Sequence, residues 1–237
     1  MTAYILDTET NDKENAEAIE VAWINLSNGQ KFSQRYRPSK PITFGAMATH
    51  NIIMEDLVHC EPSGTFRLPA DCSHMIGHNI EFDYNAIGRP EGVRLIDTLP
   101  LSRVVFDDQD SHTQLACLYR IDARLAQSLA RGAHGALADV EMNRYLFDAI
   151  CDKIGTTDMD VLHDLSEMAK IPATIGFGKH AGAKFCDIPA DYKSWYMRQP
   201  DTDPMVVAAM RGAEPLTLDK ARQIVSEHPG GIRLAPR

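Results

Sequence analysis

Short apolar runs, several of them alternating with polar residues, dominate the first hundred residues of the chain. A buried strand is predicted at 4–6, and a second strand, rich in β-branched and aromatic residues, is predicted at 18–26. The pair Asn28-Gly29 is typical of a tight hairpin turn and leads into an alternating third strand at 31–37. This pattern predicts that the chain opens with an antiparallel meander.

Two more short strands, at 75–77 and 93–96, are each followed by a helical pattern. Strands that alternate with helices in this way predict an α/β fold, in which helices cover a mixed sheet. The clearest helix is predicted at 136–153, where apolar residues recur at spacings of three and four, and 158–170 repeats the pattern.

The helical rhythm ends abruptly after residue 170. Pro172 and the glycines at 176, 178 and 182 break it within a few positions. We therefore predict a boundary near residue 171, which divides the chain into a main domain, 1–170, and a small C-terminal module, 171–237.

Composition narrows the class of protein. With 237 residues and 44% hydrophobic side chains, the chain can bury one sizeable core plus an appendage, and it is not predominantly disordered. Its five cysteines contain no CxxC pair and are odd in number, which argues against a disulfide scaffold. No signal-peptide pattern opens the chain and no apolar run could span a bilayer, so we expect a cytoplasmic protein without membrane contact.

Charge is distributed unevenly along the chain. The formal net charge is −9, yet residues 170–237 carry 10 Lys+Arg against 7 Asp+Glu, which leaves 14 against 26 for residues 1–169. An acidic body with a mildly basic tail suits an enzyme that gathers carboxylates around a metal and meets an anionic substrate elsewhere. Ordinary compositional scatter explains the same numbers equally well.

Two carboxylates stand two positions apart at the end of the first predicted strand, Asp7 and Glu9. Residues i and i+2 of a strand point to the same face, so both side chains can converge on one hard cation. Such pairs also occur as solvated turn residues, and the pair alone leaves both interpretations open.

Two more acidic residues follow in contexts that are ambiguous one by one. Asp83 comes shortly after another strand, where a functional role competes with placement in the first turn of a helix capped by Asn79. Asp139 lies three residues before Met142 and seven before Leu146, so it is predicted to point from the first helical turn toward the core. A carboxylate in that position is costly unless it is paired or bound to metal.

His134 lies just outside that helix, between Gly132 and Gly135. An imidazole there could swing over the same site as Asp139. A surface position in a glycine-rich loop is the competing interpretation.

The order of these segments is more specific than any one of them. Asp-x-Glu on the first strand is followed by His-Asn-x-x-Phe-Asp and then by His-x-Ala-x-x-Asp at the start of a helix. This order resembles the DEDDh (DnaQ-like) 3′→5′ exonucleases, which include polymerase proofreading subunits, oligoribonuclease and exonuclease X. Neighbouring pieces also resemble that family, namely the second strand at 18–22, the Ala-x-x-x-His turn within 46–52, and Asp97-Thr98.

The resemblance implies a ribonuclease H-like mixed β-sheet flanked by helices, and an enzyme that releases nucleoside 5′-monophosphates from nucleic-acid 3′ ends. It implies two divalent cations, Mg²⁺ or Mn²⁺, consistent with oxygen-only ligands. The metal ligands it implies are Asp7, Glu9, Asp83 and Asp139, with His134 as the general base. The residues implied to hold the terminal nucleotide are Thr8, Thr10, His50, Asn79 and Phe82.

One departure from the family pattern follows the first motif. Many relatives continue Asp-x-Glu-Thr with a small apolar pair that wedges against the terminal base. This chain instead has Asn-Asp-Lys-Glu-Asn at 11–15. The apolar wedge is therefore missing or replaced.

A second resemblance covers about 175–200. The motif Phe-Gly-Lys-x-x-Gly, followed by Asp-Ile-Pro-x-x-Tyr-x-x-Trp, is similar to the C-terminal module of exonuclease X-like proteins. From the residues themselves, a glycine-punctuated β-hairpin is predicted to present Lys179, His180 and Lys184, followed by a short helix that buries Tyr192 and Trp195. Lys179 and Lys184 are candidate phosphate contacts, with a compact packing unit as the alternative.

Three functions remain open on the sequence alone. The first is a DNA 3′→5′ exonuclease acting on single strands or on 3′ ends of duplexes, and the second is an exoribonuclease of the oligoribonuclease type. The third is a nucleic-acid-binding protein that keeps the fold without turnover. The complete set of acidic residues together with His134 argues against the third, because a binder has no need of a base beside buried carboxylates. The oligomeric state is left open.

Overall fold

The structure is a computed structural model that describes residues 2–130 and 135–227. A five-stranded sheet forms its centre, with strands in the order β3-β2-β1-β4-β5. Strands β1, β2 and β3 form an antiparallel meander, whereas β4 runs parallel to β1 and β5 parallel to β4. The predicted α/β fold with a mixed, helix-flanked sheet is thus confirmed. The strands are β1 (Thr2–Thr10), β2 (Ala18–Asn25), β3 (Lys31–Arg35), β4 (Cys72–Gly77) and β5 (Arg94–Asp97).

The helices follow the predicted alternation and then dominate the chain after β5. They are α1 (Phe44–His50), α2 (Ile80–Ala86), α3 (Thr98–Val105), α4 (Gln114–Ile121), α5 (Ala123–Ala130), α6 (Ala136–Ile154), α7 (Met159–Ala169), α8 (Ala190–Tyr196), α9 (Pro204–Met210) and α10 (Leu218–Glu227). Short 3₁₀ turns at Met54–Leu57, Ser63–Thr65, Gly178–His180 and Phe185–Asp187 connect some of these elements.

Two apolar layers cover the two faces of the sheet, because successive strand residues point to opposite sides. On one face, Ile5 of β1 and Ile24 of β2 pack with Leu146 and Ile150 of α6 in the main core. On the other face, Leu6 belongs to a second cluster with aromatic residues of β2 and β3. The side chains of β1 that point toward α6 therefore have odd numbers, and this parity decides where its acidic residues go.

Two local features bring helices close to the ends of the parallel strands. A Cβ at Gly77, the last residue of β4, would overlap the Ile80 side chain and approach the Leu6 carbonyl oxygen to 3.1 Å. Only glycine therefore lets α2 pack this tightly on β1. The Thr98 hydroxyl at the start of α3 hydrogen-bonds at 3.0 Å to the side-chain amide oxygen of the buried Asn143, which links α3 to α6.

The C-terminal part has its own small core and also contributes to the main one. A separate cluster between Ile175 and Met210 surrounds Phe185, Ile188 and Tyr196. Helix α10 instead returns to the main core, where Ala221 is fully buried. The predicted boundary at residue 171 assigns this helix to the C-terminal module, although its buried side chains pack with those of the main domain.

Two expectations for the C-terminal module were wrong. In place of a β-hairpin, the chain forms the two 3₁₀ turns, with a single β-bridge between Thr174 and Lys184, because Gly178 and Gly182 turn the backbone through positive φ. Trp195 was expected to be buried but is 49% exposed, and Tyr196 fills the buried position of α8 instead.

All five cysteines are free, as the sequence predicted. Within the part of the chain that the structure describes, no helix combines the length and the apolar character needed to cross a bilayer.

Candidate active site

The acidic residues of the first motif lie at the end of β1 and face helix α6. Asp7 and Glu9 share the odd-numbered face of β1, and Asp139 projects from the first turn of α6. One carboxylate oxygen from each of the three can be chosen so that all lie within 4.8 Å of one another. Three carboxylates from two segments that are distant along the chain therefore meet in one place.

Asp83 reaches the same end of β1 from the other side, on α2. Its Oδ1 accepts hydrogen bonds from the Thr8 backbone N–H at 2.9 Å and from the Thr8 hydroxyl at 2.7 Å. Thr8 lies between the two acidic residues of β1, so the bonds hold Asp83 against the cluster. Asn79 occupies the N-cap position of this helix and Asp83 lies in its first turn, as the alternative interpretation expected, but the Asn79 side chain makes no capping hydrogen bond.

Burial and mutual repulsion make this cluster electrostatically unfavourable when it is ionised. Burial, followed by the neighbouring Asp139 and Glu20, raises the pKa of Glu9 from 4.5 to about 8. Burial and the charge of Asp83 hold the pKa of Asp7 well above its ordinary value. Burial also raises the pKa of Asp83 to about 7, even though the Thr8 hydrogen bonds oppose the change.

The donor set fits divalent cations. Among residues 2–130 and 135–227, no lysine or arginine forms an ion pair with Asp7, Glu9 or Asp83. A bound hard cation would relieve the repulsion, and carboxylate oxygens are the ligands that Mg²⁺ and Mn²⁺ prefer. The residues present therefore match the metal that the family resemblance implies.

A fifth carboxylate, which the sequence analysis did not assign to the site, lies beside the cluster. Glu20 of β2 is the direct cross-strand partner of Glu9, and its charge contributes to the raised pKa of both Glu9 and Asp7. On its other side, the Arg35 guanidinium Nε of β3 lies 4.0 Å from a Glu20 carboxylate oxygen. The register of the β1–β2 pair creates this neighbourhood, and a strand prediction without a register could not reveal it.

The predicted substrate residues at the end of β1 are held by an internal network. His50 is buried; its Nδ1 accepts the Ile52 backbone N–H at 3.0 Å, and its Nε2 donates to the Thr10 carbonyl oxygen at 3.2 Å. Both ring nitrogens are therefore engaged within the protein, and burial lowers the pKa of the imidazole. The Thr10 hydroxyl donates to the Asp12 carbonyl oxygen at 2.9 Å. This network fixes the backbone that follows Glu9.

Asn79 and Phe82, the other predicted substrate contacts, are more accessible. Asn79 is exposed and adopts a left-handed backbone with φ 68°, stabilised by its N–H bond to the Asp97 carboxylate at 2.9 Å. Phe82 is half-buried and precedes Asp83 on α2. Their roles as substrate contacts stay predictions.

An exposed aromatic side chain stands near the position where the apolar wedge is missing. Phe44, the first residue of α1, is 88% exposed. The Thr43 N–H binds the Asn11 carbonyl oxygen at 2.9 Å, and His50 at the other end of α1 binds Thr10, so α1 is anchored at both ends to the chain that leaves β1. Only tertiary contacts reveal this placement, since Phe44 follows Asn11 by 33 positions in the chain.

His134 lies outside the described residues, and its assignment as the general base stays a prediction. Gly135, which follows it, is the N-cap of α6, and the Ala138 and Asp139 N–H groups bind the Gly135 carbonyl oxygen. Lys179 and Lys184 are exposed on the C-terminal module. Their contact with phosphate likewise stays a prediction.

Fold and site together define an α/β protein in which a half-buried carboxylate cluster, suited to divalent cations, lies at the end of the central strand β1. No protein-family model matches the sequence. A protein described as a DNA polymerase III subunit epsilon-like protein, from Rhodobacter capsulatus, is 26% identical over 159 residues. The match covers 59% of this chain and 22% of that relative, so it spans less than a quarter of the relative's length.

Two solved exonuclease structures have a similar fold. Exonuclease X, solved in complex with 5′-overhanging duplex DNA, has a TM-score of 0.55 and 22% identity, covering 68% of this chain and 98% of that one. Exonuclease I without ligand has a TM-score of 0.51 and 16% identity, covering 74% of this chain and 50% of that one. The mixed five-stranded sheet flanked by helices is thus the ribonuclease H-like fold of these exonucleases.

Proposed function

We infer that this protein is a metal-dependent 3′→5′ exonuclease that hydrolyses phosphodiester bonds at the 3′ ends of DNA. The observation that carries the inference is that carboxylate oxygens of Asp7, Glu9 and Asp139 lie within 4.8 Å of one another, at the end of the central strand of a ribonuclease H-like fold. Asp83, fastened to Thr8, supplies the fourth carboxylate. A protein that only bound nucleic acid would gain nothing from a cluster that repels its own charge and the phosphates of its ligand.

The carboxylates have distinct parts in this proposal. Asp7, Glu9 and Asp139 would hold one divalent cation, and Asp7 with Asp83 would hold a second. When bound, the pair of cations would stabilise charge on the attacking and leaving oxygens of the displacement. Thr8 keeps Asp83 oriented and opposes the rise of its pKa, which favours the ionised carboxylate that a cation needs.

Proton transfer is assigned to His134. Its assignment rests on its place in the sequence, directly before the N-cap Gly135 of α6, and on the fitness of imidazole as a base near neutral pH. In this role the imidazole takes the proton of the attacking water. His50 is unsuited to this role, since both of its ring nitrogens already bind backbone groups.

DNA is proposed as the substrate because exonuclease X, which shares the fold, was solved with duplex DNA. The product would be a nucleoside 5′-monophosphate. His134, the Thr10 backbone held by His50, and the exposed Asn79 and Phe82 would surround the terminal nucleotide.

The test is a degradation time course on single-stranded and duplex DNA, and on RNA of the same sequence, labelled at either the 3′ or the 5′ end. With Mg²⁺ we expect the 3′ label to be released at once as a mononucleotide, while the 5′ label passes through a ladder of shortened strands. Chelator and the variant Asp139→Asn should both abolish release. Release of the 5′ label first, or turnover in chelator, would contradict the proposal.

A further inference from the structure

The C-terminal module exposes two aromatic rings that a self-contained packing unit would bury. Trp195 is 49% exposed and Phe177 is 39% exposed. Single exposed apolar residues are ordinary on protein surfaces. These two rings, however, belong to one connected group.

Each exposed ring packs against a tyrosine of helix α8. The centroids of Trp195 and Tyr192 lie 5.3 Å apart, and those of Phe177 and Tyr196 lie 5.2 Å apart. Positions 192, 195 and 196 are spaced by three and four, so α8 presents them on adjoining parts of one surface. We call these four residues the ring platform.

The backbone around the platform is specialised for close packing. Gly178 has φ +66°, and a Cβ there would lie 2.9 Å from the Tyr192 hydroxyl oxygen. Two backbone hydrogen bonds join the ends of the loop that contains Gly178. The Ile175 carbonyl oxygen accepts the Gly182 N–H at 2.7 Å, and the Ile175 N–H donates to the Ala183 carbonyl oxygen at 3.0 Å. A loop held in this way fixes Phe177 and Tyr192 without a regular hairpin.

Positive charge accompanies the rings. The Lys179 ammonium lies over the Tyr192 ring, 5.4 Å from its centroid, and is exposed. Lys179, Asp191, Tyr192 and Trp195 line a surface hollow of about 330 Å³. Residues 177–198 carry four Lys+Arg against two Asp+Glu, the reverse of the balance in the main domain. Flat apolar rings match bases, and the Lys179 ammonium group beside them matches a phosphate.

A cleft of about 750 Å³ connects the platform to the main domain. Phe177 and Tyr196 of the C-terminal module contribute to its lining. The main domain contributes Arg103, Lys170 and His112, and the acidic residues Asp107, Asp201 and Asp203 also line the cleft. The His112 carbonyl oxygen accepts a hydrogen bond from the His78 ring at 2.8 Å, and His78 directly follows β4 in the segment that leads into α2. The cleft thus extends from Phe177 to His112, whose hydrogen-bond partner His78 lies five residues before Asp83 in the chain.

We propose that the ring platform is a binding site for single-stranded nucleic acid, on which unpaired bases stack against Trp195 and Phe177 while Lys179 meets their phosphates. The proposal rests on the proposed function only for the path of the strand, which would pass from the candidate active site through the cleft. Stacking on aromatic side chains is tolerant of base identity, so the platform holds the strand without reading its sequence.

The test measures binding by the full-length protein in chelator, so that no turnover is needed. A labelled single strand of about 12 nucleotides, within the span of known single-strand sites, is titrated against wild type, Trp195→Ala and Trp195→Phe. Tyr119→Ala, which removes another half-exposed aromatic ring on α4, is the matched control. We expect Trp195→Ala to weaken binding about tenfold, Trp195→Phe to restore most of the affinity, and Tyr119→Ala to bind as wild type does.

Tryptophan fluorescence provides a readout that a merely structural effect would not reproduce. The chain has two tryptophans, and Trp23 is buried, so quenching by an added single strand reports on Trp195. We expect quenching by the long strand and much less by a dinucleotide or a blunt duplex. The proposal would be overturned if the fluorescence is not quenched, if Trp195→Ala binds the strand as tightly as wild type, or if Tyr119→Ala loses as much affinity as Trp195→Ala. The exposed rings would then be a candidate contact for a protein partner.

Failure of this inference is distinguishable from failure of the proposed exonuclease. If Mg²⁺-dependent release of mononucleotides occurs but Trp195→Ala binds normally, the platform is refuted and the enzyme stands. If Trp195-dependent binding occurs without release of mononucleotides, the platform stands and the enzyme is refuted.

Discussion

Replacing Glu9 by glutamine should stabilise the metal-free protein while destroying its metal site. The pKa of Glu9 is raised from 4.5 to about 8, so the folded protein binds this proton more tightly than the unfolded chain does. The free energy of unfolding must therefore fall as the pH rises between these two values. Glutamine keeps the shape of the side chain and removes the charge, so the variant escapes this loss.

The size of the effect follows from the two pKa values. A rise from 4.5 to about 8 costs the folded state roughly 4 kcal/mol near pH 8 and roughly 2 kcal/mol near pH 6. Glu9 is only 8% exposed, so solvent screening reduces this value little. For a chain of this length, each kcal/mol shifts the melting temperature by about 2–4 °C.

The assay is thermal or urea unfolding followed by circular dichroism in chelator, near pH 6 and near pH 8. Glu9→Gln should exceed wild type in stability at both values, with the larger margin near pH 8, and Glu14→Gln in the exposed loop after β1 is the control that should change little. Saturating Mg²⁺ should stabilise wild type more than Glu9→Gln, because binding to the folded state alone adds to stability. A variant that is less stable than wild type in chelator near pH 8, or equal margins at both pH values, would refute the reasoning.

Three further predictions concern residues around the cluster. Thr8→Val removes the hydroxyl that donates to Asp83 at 2.7 Å, so the pKa of Asp83 should rise. The acidic limb of the pH–activity profile should then move to higher pH, and an acidic limb at the same pH as in wild type would contradict this. If the exposed Phe44 ring replaces the missing wedge, Phe44→Ala should slow cleavage at duplex ends several-fold more than cleavage of single strands. Equal slowing on both substrates would exclude that role. Gly77→Ala should lower the free energy of unfolding by about 1–3 kcal/mol, because the added methyl group overlaps the Ile80 side chain. Denaturant titrations measure this change, and an unchanged midpoint of the unfolding transition would contradict this packing.

Much of the site could be predicted because its residues obey local periodicities. The two-residue spacing of Asp7 and Glu9 fixes a common face once β1 is recognised, and the spacing from Asp139 to the apolar positions of α6 fixes its direction. Neither inference needs knowledge of the rest of the fold.

The remainder depends on contacts that periodicity does not encode. Glu20 joins the cluster through the register of β1 against β2, and Phe44 reaches the end of β1 through the anchoring of α1. The short helix α8 has three aromatic residues within five positions, so its sequence does not predict which of them is buried. Tertiary packing buries Tyr196 rather than Trp195. Helix α10 likewise follows the predicted boundary at residue 171, yet it packs in the main core. The pattern of apolar positions in a helix does not show which of two cores the helix joins.

The central claim is that Asp7, Glu9, Asp83 and Asp139 together hold two divalent cations, and anomalous diffraction from crystals soaked in Mn²⁺ tests it most directly. The account predicts two manganese peaks about 3.5–4 Å apart among these four carboxylates, and the loss of both peaks or of one in Asp139→Asn crystals. Crystals that bind Mn²⁺ elsewhere but show no peak between Asp7 and its acidic neighbours would contradict it.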